Sequence, residues 1–220
     1  MISIVLPVRD EPALGEFLLN LHEVMEGTPW QYEVLVIFGD RETLHPDVPG
    51  LPNQRILTSY GDSLERAILL GFSISRGERI VVLDADGSHP PDKIPDMIRA
   101  LDKYEMVVAS RFLPGAKFEQ SAFRRLVSKL FILWARIYGS RLTDPMSGFF
   151  ALRRELLDGA KFKPIHWKTC LELELLKRPE VLEVPIHFNK RNAGFSKASL
   201  LTGLKTLWDI MLVGGGIDDS

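Results

Sequence analysis

Residues 81–91 read VVLDADGSHPP, an apolar run that ends in two aspartates and is stopped by a glycine and two prolines. Continuously apolar, β-branched runs of this kind are typical of strands buried on both faces of a parallel sheet. Asp84 and Asp86, one residue apart, repel each other unless a proton or a cation offsets their charge. Mg²⁺ and Mn²⁺ prefer carboxylate, water and phosphate oxygens. The stretch therefore predicts a metal–diphosphate site or, as the simpler interpretation, a capped turn.

The same kind of apolar run recurs along the chain. The seven predicted strands are Ile2–Val8, Tyr32–Phe38, Arg55–Ser59, Arg79–Asp84, Met106–Arg111, Gly148–Arg153 and Val181–Phe188. Between strands, apolar residues follow helical spacing, as in Leu14, Phe17, Leu18, Leu21 and Met25. This alternation predicts an α/β fold with a mainly parallel sheet flanked by helices. Ligands of such sheets bind beyond the carboxyl ends of the strands, where Asp84, Asp86 and Arg111 lie.

Composition and charge bound the class of protein. The chain has 220 residues, 45% hydrophobic and 25% charged, which suits one domain with a substantial core. A formal net charge of −2 provides no overall field for nucleic acid, so none is expected as a partner. Cys170 is the only cysteine, which excludes an internal disulfide and suits a reducing, cytoplasmic setting. The first residues predict a strand and not a signal peptide, and no apolar run reaches about 18 residues, the length of a membrane span.

Several common phosphate and metal motifs do not fit. An EF-hand loop starting at Asp84 would need a glycine and an acid where the chain has His89 and Pro95. The glycine-rich phosphate loop is absent, and no dinucleotide glycine fingerprint follows the first strand. A sugar-phosphate nucleotidyltransferase would carry a glycine-rich, basic loop there, but residues 7–16 read PVRDEPALGE. The sequence therefore gives little support to a sugar-phosphate nucleotidyltransferase.

Five stretches taken in order carry a resemblance to a known family. They are SIVLPVRDE (3–11), DADGSHPP (84–91), VVASRF (107–112), DPMSGFFALRR (144–154) and VPIHFNKRNAGFSK (184–197). Together they resemble the family 2 glycosyltransferases with the GT-A fold, and within these the dolichol-phosphate mannose synthase or polyprenyl-phosphate glycosyltransferase branch. DPMSGFFALRR is the most specific of the five. The resemblance covers nearly the whole chain and implies a single GT-A domain over residues 1–220.

The resemblance implies a role for each matching position. Residues 1–111 would form the nucleotide-binding half and residues 112–220 the acceptor-binding half. Donor contacts are expected from Pro7, Arg9, Glu11, Ile37, Asp40, Asp84 and Lys197. Metal ligands are expected at Asp84, Asp86 and Ser88, the catalytic residues at Asp86, Arg111 and Arg191, and the acceptor phosphate site at Arg124, Ser128 and Arg191. Arg and Lys suit these phosphate sites because they pair with phosphate oxygens as a planar fork and as a point charge, respectively.

Four positions depart from the family pattern. Phe38 and Gly39 stand where adjacent aspartates usually contact the base and ribose, and Asp40 is the nearest carboxylate. Ser88 replaces a glutamine, and Arg9 replaces a residue that is often aromatic. These departures leave open a second hypothesis, a nucleotide-sugar binding protein without turnover.

Residues Ala122–Arg141 mix aromatic and basic side chains and contain no acid, which predicts a basic amphipathic helix. Such a helix favours peripheral contact with a membrane surface, although a helix packed on the sheet with a solvated basic edge would look similar. Leu200–Val213 is a second apolar stretch, too short to span a bilayer.

The expected function follows from these parts. The resemblance implies an inverting, Mg²⁺- or Mn²⁺-dependent hexosyltransferase that moves a sugar to a polyprenyl or dolichyl phosphate at the cytoplasmic face of a membrane. GDP-mannose is the first donor to expect and UDP-glucose the next. A phosphate acceptor needs no general base. A hydroxyl acceptor would need one, for which Asp144 is the obvious carboxylate, although Asp144-Pro145 is also typical of a turn.

Overall fold

The computed structural model describes residues 1–9, 11–39, 48–59, 63–116, 122–162 and 168–187, with the main chain alone at 122–126. In chain order the elements are β1 Ile2–Val8, α1 Leu14–Glu26, β2 Tyr32–Phe38, β3 Gln54–Thr58, α2 Leu64–Ile74, β4 Arg79–Val82, α3 Ile94–Ala100, β5 Met106–Ser110, α4 Ala122–Ile137, β6 Phe150–Arg153, α5 Thr169–Lys177 and β7 Val181–Pro185. Short 3₁₀ turns at Pro91–Lys93 and Arg154–Leu157 precede α3 and follow β6.

The seven strands form one sheet in the order β3-β2-β1-β4-β6-β5-β7. Within it β6 runs antiparallel to both of its neighbours, β4 and β5, and every other pairing is parallel. The predicted α/β fold with a mainly parallel sheet is therefore confirmed. Because β6 runs backwards, the residues just before it lie at the same edge as the carboxyl ends of β4 and β5.

Both faces of the sheet are buried, as the continuous apolar runs indicate. Alternate side chains of β1 point to opposite faces. Ile4 and Leu6 join a cluster with α1 and α3, whereas Val5 joins one with α2 and α5. Cys170 lies in the second cluster, and burial raises the pKa of its thiol well above the ordinary value. The lone cysteine is thus part of the core.

Five strands are shorter than predicted at the edge that carries the motifs. β3 and β5 each end one residue early, and β7 ends at Pro185 and not at Phe188. Turns shorten the other two, β4 and β6. β4 ends at Val82 and not at Asp84, because the Asp84 N–H donates to the His89 ring instead of to the neighbouring strand. β6 begins at Phe150 and not at Gly148, and the preceding Phe149 N–H donates to the Ser147 hydroxyl. The chain therefore forms a turn at each of these points.

Candidate functional site

The aspartate turn after β4 is held by its own side chains. The Asp86 Oδ1 atom accepts hydrogen bonds from the Ser88 N–H at 2.9 Å and the Ser88 hydroxyl at 2.5 Å. Gly87 has φ of 78°, in the left-handed region that glycine enters without steric cost. Ser88 is fully buried and Asp86 is 3% exposed. The structure therefore does not support Ser88 as a direct metal ligand; its hydroxyl fixes the carboxylate of Asp86.

His89 completes this turn, and the sequence analysis did not single it out. The Asp84 N–H donates to His89 Nδ1 at 3.0 Å, so that nitrogen carries no proton. The 3.9 Å separation between Nδ1 and Asp84 Oδ2 is therefore not an ion pair. Burial lowers the pKa of His89 below its ordinary value, although the neighbouring aspartates oppose the shift. A neutral imidazole thus orients the backbone of Asp84.

Gly148 from the DPMSGFFALRR stretch lies directly against the aspartate turn. A Cβ atom at Gly148 would come within 2.8 Å of Asp84 Oδ2 and 3.3 Å of the His89 ring. Any side chain there would displace the Asp84 carboxylate. The absence of a side chain at Gly148 therefore leaves room for the Asp84 carboxylate. This contact explains why a glycine in the stretch 144–154 accompanies the aspartates of the stretch 84–91.

The aspartate turn suits a cation that takes most of its ligands from water and from the phosphate oxygens of a substrate. No group of three or more His, Cys, Asp or Glu side chains suited to a metal occurs among the described residues. Asp84 keeps 34% of its side chain exposed beside the nearly buried Asp86. Mg²⁺ is commonly held through one or two carboxylates together with water and phosphate oxygens. The donor set therefore suits Mg²⁺ or Mn²⁺ bound with a diphosphate.

Arg111 and Asp144 form a bidentate ion pair. Arg111 directly follows β5, and Asp144 lies in the loop before β6. Arg111 Nε and Nη2 donate to the two Asp144 oxygens at 2.7 and 2.8 Å, and the Arg111 backbone N–H donates to Oδ2 at 3.1 Å. Asp144 is fully buried. Its carbonyl also accepts the Ser147 N–H, as the predicted turn requires. Because both carboxylate oxygens receive donors from Arg111, Asp144 is poorly suited to act as a general base.

A second carboxylate, Glu183 on β7, fixes the same loop. It accepts the N–H groups of Thr143 and Asp144 at 2.8 to 3.1 Å and the Thr143 hydroxyl at 2.8 Å. Since the Thr143 hydroxyl donates to Glu183, the Ser110 hydroxyl donates to Thr143 at 2.7 Å. Hydrogen bonds thus connect β7, the loop and the end of β5. No sequence motif pointed to Glu183.

A cavity of about 220 Å³ lies beside the Arg111–Asp144 pair. Its apolar wall consists of Phe112, Val127, Phe131, Ile132 and Met146. Its polar wall consists of Arg111, Ser128, Asp144 and Lys168. The predicted catalytic residue Arg111 and the predicted acceptor residue Ser128 are thus brought together, whereas Lys168 was not predicted. An apolar wall beside cations suits a ligand with an anionic head and a hydrocarbon tail.

Four of the remaining predicted donor residues lie at the carboxyl ends of β1 and β2, namely Pro7, Arg9, Glu11 and Ile37. The Ile37 side chain is fully buried in the core, and a donor contact at this position stays a prediction. Pro7, its register partner on β1, is also buried, Arg9 is exposed and Glu11 is half-buried. Asp40, Arg191, Lys197 and the side chain of Arg124 lie outside the described residues.

Helix α4 has a buried face and an exposed apolar face. Phe131 and Ala135 pack against Leu171 of α5. On the other side, Leu130, Leu133 and Ile137 are 51%, 58% and 75% exposed. Lys129 and Arg136, which flank this face in sequence, are also exposed. One face of the helix therefore packs in the fold and the other is apolar and exposed, and contact with a membrane stays a prediction. Within the described part of the chain, no helix is long and apolar enough to cross a membrane.

The chain is similar in sequence to curated proteins and similar in fold to solved structures. A dolichol-phosphate mannosyltransferase from Pyrococcus furiosus is 31% identical over 99% of this chain and 65% of its own length. A dolichol-phosphate mannosyltransferase from Saccharomyces cerevisiae is 33% identical over 67% of this chain and 59% of its own length. The chain thus spans about three fifths of these relatives. The crystal structure of mannosyl-3-phosphoglycerate synthase from Rubrobacter xylanophilus superposes with a TM-score of 0.72 at 18% identity, over 96% of this chain and 72% of that one.

A family match covers most of the sheet and the aspartate turn. Residues 3–159 match the family described as Glycosyl transferase family 2, from β1 through β6. The matched region contains Asp84, Asp86, Arg111 and Asp144, and it ends before α5 and β7. The chain belongs to glycosyl transferase family 2.

Proposed function

We propose that this protein is an inverting, metal-dependent hexosyltransferase that transfers a sugar from a nucleotide diphosphate to a polyprenyl or dolichyl phosphate. The observation that carries the proposal is the pairing of Asp144 with Arg111 beside a half-apolar cavity. A hydroxyl acceptor needs a base within hydrogen-bonding reach. Here the best-placed carboxylate is occupied on both oxygens, whereas a phosphate oxygen is already anionic and needs no base.

The donor side of the reaction belongs to the aspartate turn. Asp84 and Asp86 would hold Mg²⁺ or Mn²⁺ together with the donor diphosphate, and the bound cation would supply Lewis-acid neutralisation of the diphosphate charge. Ser88 and His89 keep the turn in place by their hydrogen bonds to Asp86 and to the Asp84 backbone. Preorganised groups of this kind stabilise developing charge at little reorganisation cost.

The transfer step needs only one bond made and one broken. An oxygen of the acceptor phosphate attacks the anomeric carbon, and the bond from that carbon to the diphosphate oxygen breaks as the nucleoside diphosphate leaves. Positive charge develops at the sugar in an oxocarbenium-like transition state. Because attack and departure occur on opposite sides, the anomeric configuration inverts. GDP-mannose is the proposed donor and UDP-glucose the second choice; the mannosyltransferase names of the two relatives above support the first.

The exposed face of α4 supports a location at the membrane surface. Leu130, Leu133 and Ile137 recur at helical spacing, with Lys129 and Arg136 beside them. Apolar side chains bordered by cations suit the boundary between anionic headgroups and acyl chains. The adjacent cavity would then receive the phosphate of a lipid whose tail stays in the bilayer. We place the protein at the cytoplasmic face, as a peripheral protein.

The proposal is tested by following radiolabelled sugar from a panel of nucleotide-sugars into the organic phase, with a short polyprenyl phosphate and Mg²⁺ or Mn²⁺. Label in the lipid from one donor, lost on chelation, is the expected result. The matching polyprenol without phosphate is the control acceptor and should take no label. Labelled polyprenol would instead favour a hydroxyl acceptor. Nucleotide binding without transfer from any donor would favour a binding protein without turnover.

A further inference from the structure

The cavity beside the Arg111–Asp144 pair offers less uncompensated positive charge than the sequence suggests. Arg111 was predicted as a catalytic residue suited to phosphate, but it donates two side-chain hydrogen bonds to Asp144, and Asp144 is fully buried. A bidentate pair of this kind is close to neutral as a unit. The positive charge that Arg111 offers to an anionic ligand is therefore largely compensated within the protein.

Lys168 is the remaining described cation in the cavity wall. It lies just before α5, half-buried, and its carbonyl accepts the Glu172 N–H at 3.1 Å. Within the part of the chain that the structure describes, the Lys168 ammonium has no carboxylate within ion-pair distance and no hydrogen-bond acceptor. A half-buried ammonium without a counter-ion is unfavourable unless a ligand supplies the negative charge.

The cavity also lies next to the aspartate turn, and one short loop connects them. Asp144 and Met146 of this loop line the cavity. Gly148, two residues after Met146, lies against the Asp84 carboxylate. A phosphate bound in the cavity would therefore lie near the proposed donor site.

We propose that the Lys168 ammonium is a binding group for the acceptor phosphate, and that Arg111 acts mainly with Asp144 as a neutral wall that shapes the cavity. This inference rests on the proposed function for its choice of acceptor. The ligand chemistry is a phosphate monoester with a hydrocarbon tail. The phosphate meets Lys168 and the Ser128 hydroxyl, and the tail meets the apolar wall that includes Phe131.

The test is titration of the full chain with a short polyprenyl phosphate, with inorganic phosphate and the matching polyprenol as comparison ligands. Lys168→Gln is expected to weaken binding of polyprenyl phosphate by roughly tenfold to a hundredfold, the size of a lost charge-assisted hydrogen bond. Lys168→Arg keeps the charge and should retain most of the affinity. The matched control is Lys103→Gln, an exposed lysine at the opposite edge of the sheet, which should bind as the wild type does.

Each outcome decides the inference separately from the proposed function. Unchanged affinity in folded Lys168→Gln and Lys168→Met would overturn the inference, even if wild-type protein transfers sugar to lipid. Lys168-dependent binding without transfer from any donor would uphold the inference and refute the proposed function. If the wild type binds no polyprenyl phosphate, or binds inorganic phosphate equally well, the assigned acceptor is wrong. Melting curves of each variant separate lost binding from lost folding.

Discussion

The two edges of the sheet use similar side chains in opposite ways. At the amino edge, the Glu33 carboxylate accepts from the Ser3 hydroxyl, the Arg76 N–H and Arg55. Arg154 donates there to the Gly77 carbonyl and the Ser75 hydroxyl. At the carboxyl edge, one arginine is paired with a buried acid and one lysine has no partner among the described residues. The amino edge satisfies its own charges, whereas the carboxyl edge leaves charge for a ligand.

The difference shows why charge counts alone do not locate a site. Burial by itself raises the pKa of Glu33, but hydrogen bonds from Ser3, the Arg76 backbone and Arg55 together lower it. That carboxylate is stabilised within the fold and has no capacity left for substrate. Substitutions at the amino edge are therefore expected to reduce stability and spare activity. Substitutions at the carboxyl edge are expected to reduce activity, either alone or together with stability.

Asp86→Asn gives the largest expected effect. Removing one negative charge from the aspartate turn should lower transfer by about a thousandfold, because a preorganised charge at the leaving diphosphate is lost. Mn²⁺-dependent binding of nucleoside diphosphate, followed by calorimetry, should disappear as well. Asp102→Asn, which removes an exposed carboxylate paired with Arg79 at the amino edge, serves as control and should change neither. Retained metal-dependent binding in Asp86→Asn would remove Asp86 from the metal site.

Asp144→Ala comes next and should affect stability and activity together. It leaves the Arg111 guanidinium without its buried partner, and breaking such a pair costs about 3 to 4 kcal/mol. Urea unfolding measures the loss. The double variant with Arg111→Met should recover part of the stability but none of the transfer. A loss below about 1 kcal/mol in the single variant would show that the pair contributes little in solution.

Glu33→Gln should cost about 2 kcal/mol of unfolding free energy, because a carboxylate that accepts several buried donors becomes a weaker acceptor. The kcat for transfer should not change. The contribution of Glu33 has a defined pH window: its folded pKa lies below the unfolded value of about 4.5, so the stabilisation is complete above that value and is lost as pH falls through the folded pKa. The variant should therefore lose less stability on acidification than the wild type. A changed kcat would contradict the separation of the edges.

Tyr32→Phe gives the smallest effect, about 1 kcal/mol. The Tyr32 hydroxyl lies 2.6 Å from His22 Nδ1 and donates to Glu26 at 3.0 Å. Burial, followed by the Glu26 interactions, raises the pKa of Tyr32 to about 12. Its stabilisation is complete below pH 10.0, the ordinary value, and is lost as pH rises through about 12. Ultraviolet titration of the wild type should show a late tyrosine phase near pH 12 that this variant abolishes.

The sequence predicted the sheet well because its strands are buried on both faces. β1 and β2 end where the apolar runs end, and all five spaced apolar residues of α1 are buried. The predicted ends of β3, β5 and β7 were too late. At the ends of β4 and β6 the error has a local cause, because side chains of His89 and Ser147 accept backbone N–H groups. Hydrogen bonds to side chains that replace strand pairing depend on how a turn folds. The spacing of hydrophobic residues therefore does not predict them.

The candidate site was predictable only in part. Asp84, Asp86 and Arg111 stand in motifs, and the family resemblance implied Ser128. Arg111 and Ser128 line one cavity. Glu183 and Lys168 were missed because each acts through residues far along the chain: Glu183 binds Thr143, and Lys168 reaches the cavity from the start of α5. A single sequence carries no record of such pairings.

The antiparallel strand β6 has a consequence for how this scaffold diversifies. The chain leaves the sheet at Ser110 and re-enters it at Phe150 on the same edge, so the excursion that contains α4 begins and ends beside the aspartate turn. Its length is not constrained by the register of any strand, although Asp144 and Gly148 within it are held by their contacts with Arg111 and Asp84. Under the proposed function, exchange of this segment between relatives would change the acceptor and leave the donor site in place. Chimaeras joined at these two points are the natural design for transplanting acceptor preference between relatives.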